Sequence, residues 1–361
     1  MIRGNDPHLF VSNINLLILR GFRCFESLKY EPGLGLNVIT GANAQGKTSI
    51  LEAACVLLRL RSPRTPNPGE MVGFRGNAFA LEGMLQQTRL SLTCTPPARL
   101  LKINGVIQST TGDYLEQGRI VWFGSEDLGL VNGPAERRRK LLDSAGLQLG
   151  NSLSSYGQDL KQYDRALRSR NLLLREGKPR REIEAYNIPL SESGDRIMAA
   201  RRALAASLAP LAQEACRHIS GEVLELLYQP GASSPLLEAL NASREEEIRL
   251  RQTRVGPQRD DIMIRLNGIP AAAFASEGQR RTVAIALKLA VATLLHQENG
   301  TAPLLLLDDI FGELDPGRRD ALLQGLPPRT QAILSTTDLT GITLPIDSSV
   351  HRLEQGVLTP V

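Results

Sequence analysis

Gly41-Ala42-Asn43-Ala44-Gln45-Gly46-Lys47-Thr48 has the form G-x-x-x-x-G-K-T, and the rest of the chain is organised around it. Leu36-Asn37-Val38-Ile39-Thr40, an apolar β-type run, precedes it, and Ser49-Ile50-Leu51-Glu52-Ala53-Ala54 follows with helical composition. Strand, glycine-bracketed loop and helix are the context in which this pattern binds phosphate. Gly41 and Gly46 have no Cβ, so the backbone between them can curl and turn its N–H groups inward. The helix behind adds the positive end of its dipole. Lys47 is placed to reach β- and γ-phosphates, and the Thr48 hydroxyl to hold Mg2+. A chance match in a Gly-rich turn is the competing reading, and the flanking strand and helix argue against it. Residues 41–48 are expected to form a nucleotide site.

A second stretch completes such a site. Leu304-Leu305-Leu306-Leu307-Asp308-Asp309 reads as a buried strand ending in two carboxylates. In phosphate-loop folds the acid at that strand end serves Mg2+ opposite the loop hydroxyl, a role assigned to Asp308. Asp309 is then placed to orient or deprotonate the attacking water. Asp is also an ordinary turn residue, but the phosphate loop upstream favours the chemical role. Farther on, Asp315-Pro316 suits a helix N-cap with Pro in the first turn. Ser276-Glu277-Gly278-Gln279 has the form of a capping box. The box explains Ser276 and Gln279. It does not explain Gly278, a poor first-turn residue unless something packs against its backbone. A phosphate group fits that description.

The 361 residues allow about two domains, and 42% hydrophobic with 22% charged residues suits a globular chain. A formal charge of +4 is too mild to imply nucleic acid by itself, so any such surface must come from a local cluster. Cys24, Cys55, Cys94 and Cys216 are far apart without a C-x-x-C pair. That spacing argues against zinc or a disulfide framework and leads us to expect buried thiols in a reducing cytoplasm. The most apolar stretch, 283–295, is interrupted by Lys288 and too short to span a bilayer. Residues 1–13 lack a continuous apolar segment and are read as an N-terminal extension rather than a signal peptide. A cytoplasmic protein without a membrane partner is expected.

Strand-like runs at 14–20, 78–84, 89–95, 100–103 and 119–123 surround the phosphate-loop unit, with Asn104-Gly105 as a hairpin turn. From Pro134 the composition turns helical and stays so to about Tyr228. Strand patterns return at 262–266, 304–307, 331–335, 350–353 and 357–359. The expected architecture is α/β. Residues 14–133 and 256–361 form one mixed sheet with antiparallel additions, and 134–255 is a helical arm inserted between them. Seven cations (Arg165, Arg168, Arg170, Arg175, Lys178, Arg180, Arg181) and one acid (Glu176) cluster in that arm. A solvated helix face is the plain alternative. It would more often pair acid with base at i,i+4, so Arg170, Arg175, Arg180 and Arg181 are expected to contact DNA. Few aromatics accompany them, which favours duplex phosphates over stacked single-strand bases.

Taken in order, the phosphate loop, the S-x-G-Q element, the LLLLDD strand and Glu313-Leu314-Asp315 resemble the ATPase head of ABC type found in SMC and Rad50-like proteins. From about residue 14 onward the chain resembles the RecF family of bacterial recombination mediators. The resemblance is carried by Leu19-Arg20-Gly21-Phe22-Arg23, Ser125-Glu126-Asp127-Leu128, Arg137-Arg138-Arg139 before Leu142-Asp143, Gly256-Pro257-Gln258-Arg259-Asp260-Asp261 and Phe274-Ala275-Ser276-Glu277-Gly278-Gln279-Arg280-Arg281-Thr282, besides the loop and the acidic strand. It implies an ATP-dependent homodimer, with ATP between Lys47 of one chain and Ser276, Gly278 and Gln279 of the other, and Asp315 near the seam. It also implies binding to double-stranded and gapped DNA, and loading of the RecA recombinase together with RecR and RecO. Two positions depart from the family pattern: Gln258 stands where His is usual, and Glu277 is also atypical. Asp309 replaces the glutamate of transporters, and Ser335-Thr336-Thr337-Asp338 contains no switch histidine, so slow hydrolysis is implied. An OLD-type nuclease would need a carboxylate-rich module after Asp309, which the tail lacks. A transporter subunit would need the switch histidine.

Overall fold

The computed structural model describes residues 13–150, 155–233, 235–340 and 342–361, so nearly all of the expected N-terminal extension lies outside it. Contacts divide the chain into two compact units. The first comprises Met1–Asp127, His218–Ser220 and Ile285–Val361, and the second Leu128–Arg217 and Gly221–Ala284. The expected boundaries at 134 and 256 therefore move: residues 256–284, Ser276 among them, group with the inserted part.

In the first unit, β1 (Ile14–Phe22) and β2 (Phe25–Tyr30) form an antiparallel hairpin. β3 (Leu36–Thr40) follows in a different sheet. β4 (Phe79–Leu85), β5 (Thr88–Thr95), β6 (Ala98–Ile103) and β7 (Val106–Ile107) extend the hairpin into a six-stranded antiparallel sheet of order β2-β1-β4-β5-β6-β7. β4 alternates buried and half-buried residues along its whole length, the pattern of a sheet covered on one face. At the β6–β7 turn, Asn104 and Gly105 both take positive φ (49° and 83°), as a two-residue hairpin loop requires.

β8 (Ile120–Phe123) belongs to the sheet of β3. After the second unit, which holds β9 (Leu224–Gln229), β10 (Asp261–Leu266) and β11 (Ile269–Pro270), come β12 (Leu304–Asp308), β13 (Ala332–Thr336), β14 (Ser349–Glu354) and β15 (Val357–Pro360). Their order is β15-β14-β3-β13-β12-β8, parallel except for β15. β3, β12 and β13 are buried along almost every residue, which is why they read as mainly apolar, with Asn37, Ser335 and Thr336 as buried polar exceptions. Among the described residues the first unit has two sheets: strands from both ends of the sequence join in one around the phosphate loop, as expected, and the antiparallel additions form the other. The helix Lys47–Arg59 touches strands of both and is buried from Ser49 to Leu58. Gly83 in β4 makes room for it, since a Cβ there would lie 2.5 Å from Leu57. Lys288, the cation in the apolar stretch, is also accounted for: it donates to the Trp122 carbonyl and pairs with Asp127, both at 2.8 Å.

The second unit contains a three-stranded sheet, β11-β10-β9, besides its helices. The helical reading through Tyr228 is corrected here. The helix Asn187–Ser220 ends at Gly221 (φ 76°), and 224–229 is a strand paired with β10. Gly221 supplies the left-handed C-cap that stops the helix. Gly256-Pro257-Gln258-Arg259-Asp260-Asp261 is bound into an ionic network. Arg201 pairs with Asp143 through two bonds (2.9 and 3.0 Å), with Asp260 at 2.8 Å and with the Pro257 carbonyl at 2.6 Å. Arg138 holds Asp261 (2.6 and 3.0 Å) and Arg139 the Asp260 carbonyl (2.8 Å). Gln258 accepts from the Tyr163 hydroxyl and donates to the Val255 carbonyl at 2.9 Å. The buried pair Arg201–Asp260 in particular holds the loop in place, because leaving either charge unpaired there is costly.

Candidate nucleotide-binding site

The phosphate loop joins β3 to the helix Lys47–Arg59, as the sequence context implies. Gly41 (φ 151°) and Gly46 (φ 104°) take conformations that side chains avoid. A Cβ on Gly41 would sit 2.4 Å from the Leu353 carbonyl oxygen. Among the described residues, no protein acceptor takes the N–H groups of residues 42–48, so this cradle of donors suits an anion. Lys47 is buried, and its Nζ donates to the carbonyls of Gly41 (2.7 Å) and Ala42 (2.9 Å). Burial lowers its pKa below the ordinary lysine value, and Asp309 and Asp308 act against that shift. Ala42, Asn43 and Ala44 are exposed at the loop tip. The Gln45 side chain accepts from the Gln355 N–H at 2.9 Å.

Asp308 ends β12 as expected, and the fold brings it to the phosphate loop. The Thr48 hydroxyl donates to Asp308 Oδ1 at 2.8 Å. Burial raises the Asp308 pKa, while the Ser335 and Thr48 hydrogen bonds pull it down. Asp309 is exposed beside it in a left-handed conformation (φ 50°). A hydroxyl and a carboxylate in contact are the hard oxygen donors that Mg2+ accepts, the rest of its octahedron being water and substrate phosphate. Among the described residues no group of three or more His, Cys, Asp or Glu could hold a metal alone.

In the second unit, the Ser276 N–H donates to Gln279 Oε1 (2.8 Å) and the Gln279 N–H to Ser276 Oγ (3.3 Å), so the capping box forms. Gln279 also donates to Glu222 at 2.6 Å, and Ser276 is exposed. Asp315 caps its helix by accepting from the Arg318 N–H at 3.0 Å.

Two expectations need correction. Arg170 is only 2% exposed, because it is ion-paired to the fully buried Glu247 at 2.7 Å and bonded to Asn187 and Thr253. It is a core residue of the second unit and cannot meet DNA. Arg175, Arg180 and Arg181 are exposed, but Arg180 pairs with Glu184 (2.7 Å) and Arg168 with Asp164 (2.6 Å), both at i,i+4. Likewise Cys24 is exposed, unlike the three buried cysteines, because it sits in the β1–β2 turn.

Two groups near the loop were not legible in the sequence. Glu52, fully buried in the phosphate-loop helix, accepts two bonds from Arg23 (2.8 and 2.6 Å) and one from Ser62 (2.5 Å), with Arg64 at 3.4 Å. Its place in the helix was the only signal, a carboxylate amid apolar residues. Ser335 in β13 lies against Asp308 and Asp309.

Residues 16–112 match a family model described as an AAA domain. A DNA replication and repair protein RecF from Lactococcus lactis subsp. lactis is 33% identical over 94% of this chain and 97% of its own length. One from Enterococcus faecalis is 31% identical over 95% and 97%. A solved structure of the recombination mediator protein RecF with ATP superposes with a TM-score of 0.87 at 29% identity, covering 99% of this chain and all of the other. An Smc head at 15% identity and a TM-score of 0.58 shares the fold. Likeness to these relatives over nearly the whole length of both chains means that the chain belongs to the RecF family.

Proposed function

We propose that the protein is an ATP-dependent, DNA-binding recombination mediator that acts in repair of gapped DNA. The observation that carries this reading is the 2.8 Å contact between Thr48 and Asp308, which joins the phosphate loop to the acidic strand end. Relatives named as repair proteins, and as mediators of the RecFOR pathway solved with ATP, support the same reading. Residues 41–48 would hold the phosphates through their N–H groups, with Lys47 exchanging the Gly41 and Ala42 carbonyls for phosphate oxygens. Thr48 and Asp308 would hold Mg2+, which supplies charge neutralisation at the phosphates. Asp309 would orient the attacking water. Its carboxylate is shorter than the glutamate of transporters and has no histidine nearby in sequence, so turnover would be slow and the bound ATP would serve as a switch.

With a single phosphate loop and a single Ser276-Glu277-Gly278-Gln279 element per chain, two chains would close on two ATP molecules. The closed dimer would clamp double-stranded DNA through Arg175, Arg180 and Arg181, and would cooperate with RecR and RecO. Lys47→Met is expected to abolish nucleotide binding, measured with a fluorescent ATP analogue. Asp309→Asn is expected to keep binding and lose most turnover. Normal hydrolysis by both variants would place the active centre elsewhere.

A further inference from the structure

Ser335 is fully buried in β13 and touches both acidic residues at the end of β12. Its hydroxyl donates to Asp308 Oδ1 at 2.7 Å and accepts from the Asp309 N–H at 3.1 Å. The Ser335 carbonyl accepts from the same N–H, also at 3.1 Å. A serine hydroxyl has one proton to give and two lone pairs to offer, so this one is committed on both sides. The parallel register explains how it arrives there: Asp308 lies opposite Ser335 in the β12–β13 pair. A buried parallel strand is ordinarily apolar throughout, and a hydroxyl at this level needs a partner. Here it has two.

Two consequences follow for the acids. Thr48 and Ser335 both donate to Oδ1 of Asp308, and among the described residues no hydrogen bond engages Oδ2. Rotation of the carboxylate is thereby stopped with one oxygen held. Asp309 has φ 50°, a region that non-glycine residues seldom occupy. The shared bond from its N–H to the hydroxyl and carbonyl of Ser335 keeps the backbone there.

We infer that Ser335 is a positioning residue for ATP hydrolysis, setting Asp308 for the metal and Asp309 for water through this pair of bonds. The inference rests on the nucleotide site proposed above. Its test uses the full chain with Ser335→Ala, Ser335→Cys and Ser335→Thr, and reads binding of a fluorescent ATP analogue in EDTA, the Mg2+ concentration that half-saturates the metal-dependent signal, and steady-state kcat and KM. Losing a hydrogen bond to a charged group corresponds to about a tenfold change. The Ala variant is therefore expected to bind the analogue in EDTA like the wild type, to need about tenfold more Mg2+ and to lose kcat about tenfold, with KM little changed. Cys, a weak donor of similar shape, should share the defect even if the Ala variant proves unstable. Thr, which keeps the hydroxyl, should restore both readouts. An Ala or Cys variant with the wild-type Mg2+ requirement and kcat would overturn the inference, as would equal loss of binding in EDTA. A wild-type chain that bound no analogue would overturn the nucleotide site itself, and this inference with it.

Discussion

Gly46 answers two demands at once. Its φ of 104° is unfavourable for any residue with a side chain, and a Cβ there would lie 2.6 Å from Cys24 Sγ and 2.7 Å from the Phe25 ring. Gly46→Ala should therefore cost about 1–3 kcal/mol of stability from strain and overpacking, and should abolish nucleotide binding. Urea unfolding and titration with an ATP analogue check the two effects separately. Arg170 and Arg181 make the same point about environment with a single residue type. Arg170→Ala would leave the buried Glu247 without its cationic partner and with only the Arg254 N–H on its carboxyl, at a cost of about 3–5 kcal/mol. Arg181→Ala on the surface should stay within about 0.5 kcal/mol. Comparable denaturation midpoints for the two variants would contradict the buried pair.

The C-terminal hairpin β14–β15 is the element that shapes the phosphate loop from outside. β14 pairs with β3 in parallel register, the Thr40 hydroxyl donates to the His351 carbonyl at 3.2 Å, and Leu353 closes against Gly41. The Gln355 N–H reaches Gln45. Gln45→Ala should weaken ATP binding without unfolding the sheet, because the strand pairing does not depend on that side chain. His351 gives the hairpin a pH dependence. Burial holds its imidazole below the ordinary value of 6.5, edge-on to Tyr30 with ring centroids 5.3 Å apart. Its folded pKa is depressed, so below about 6.5 the unfolded chain takes up the proton more readily and stability falls as pH drops. Stability measured between pH 8 and pH 5.5 should decline in the wild type, and His351→Phe should flatten the part of the decline centred near the histidine value. An unchanged profile would remove His351 as a contributor.

At the scale of the whole molecule, the phosphate loop belongs to the first unit and Ser276 to the second, one of each per chain. If the function proposed here holds, Ser276→Arg should leave ATP binding nearly intact and abolish ATP-driven dimerisation, read by light scattering. A variant that still dimerised would rule out Ser276 at the seam. DNA binding should be independent of sequence and weaken with salt, with a log–log slope of about 0.9 per phosphate neutralised. Arg175→Ala, Arg180→Ala and Arg181→Ala combined should flatten that slope. The flattening will be modest, since Arg180 already has Glu184 as its partner. An unaltered slope would move the DNA surface off these helices.

What the sequence alone determined is local or carried by ordered motifs: the phosphate loop between strand and helix, the acidic strand end, the capping box at Ser276, and the turn at Asn104-Gly105. Each depends on backbone geometry set within a few residues, so composition and spacing are enough to read it. Tertiary structure decided the rest. Arg170 looks like a surface cation until Glu247 and Thr253 are brought to it, and Ser335 looks like an ordinary strand residue until β13 pairs with β12. The segment 224–229 reads as more helix until β10 offers it hydrogen bonds. In each case the deciding partner lies far away in the chain, and burial beside it outweighs local preference, because an unpaired buried charge or backbone group costs more than any propensity can return.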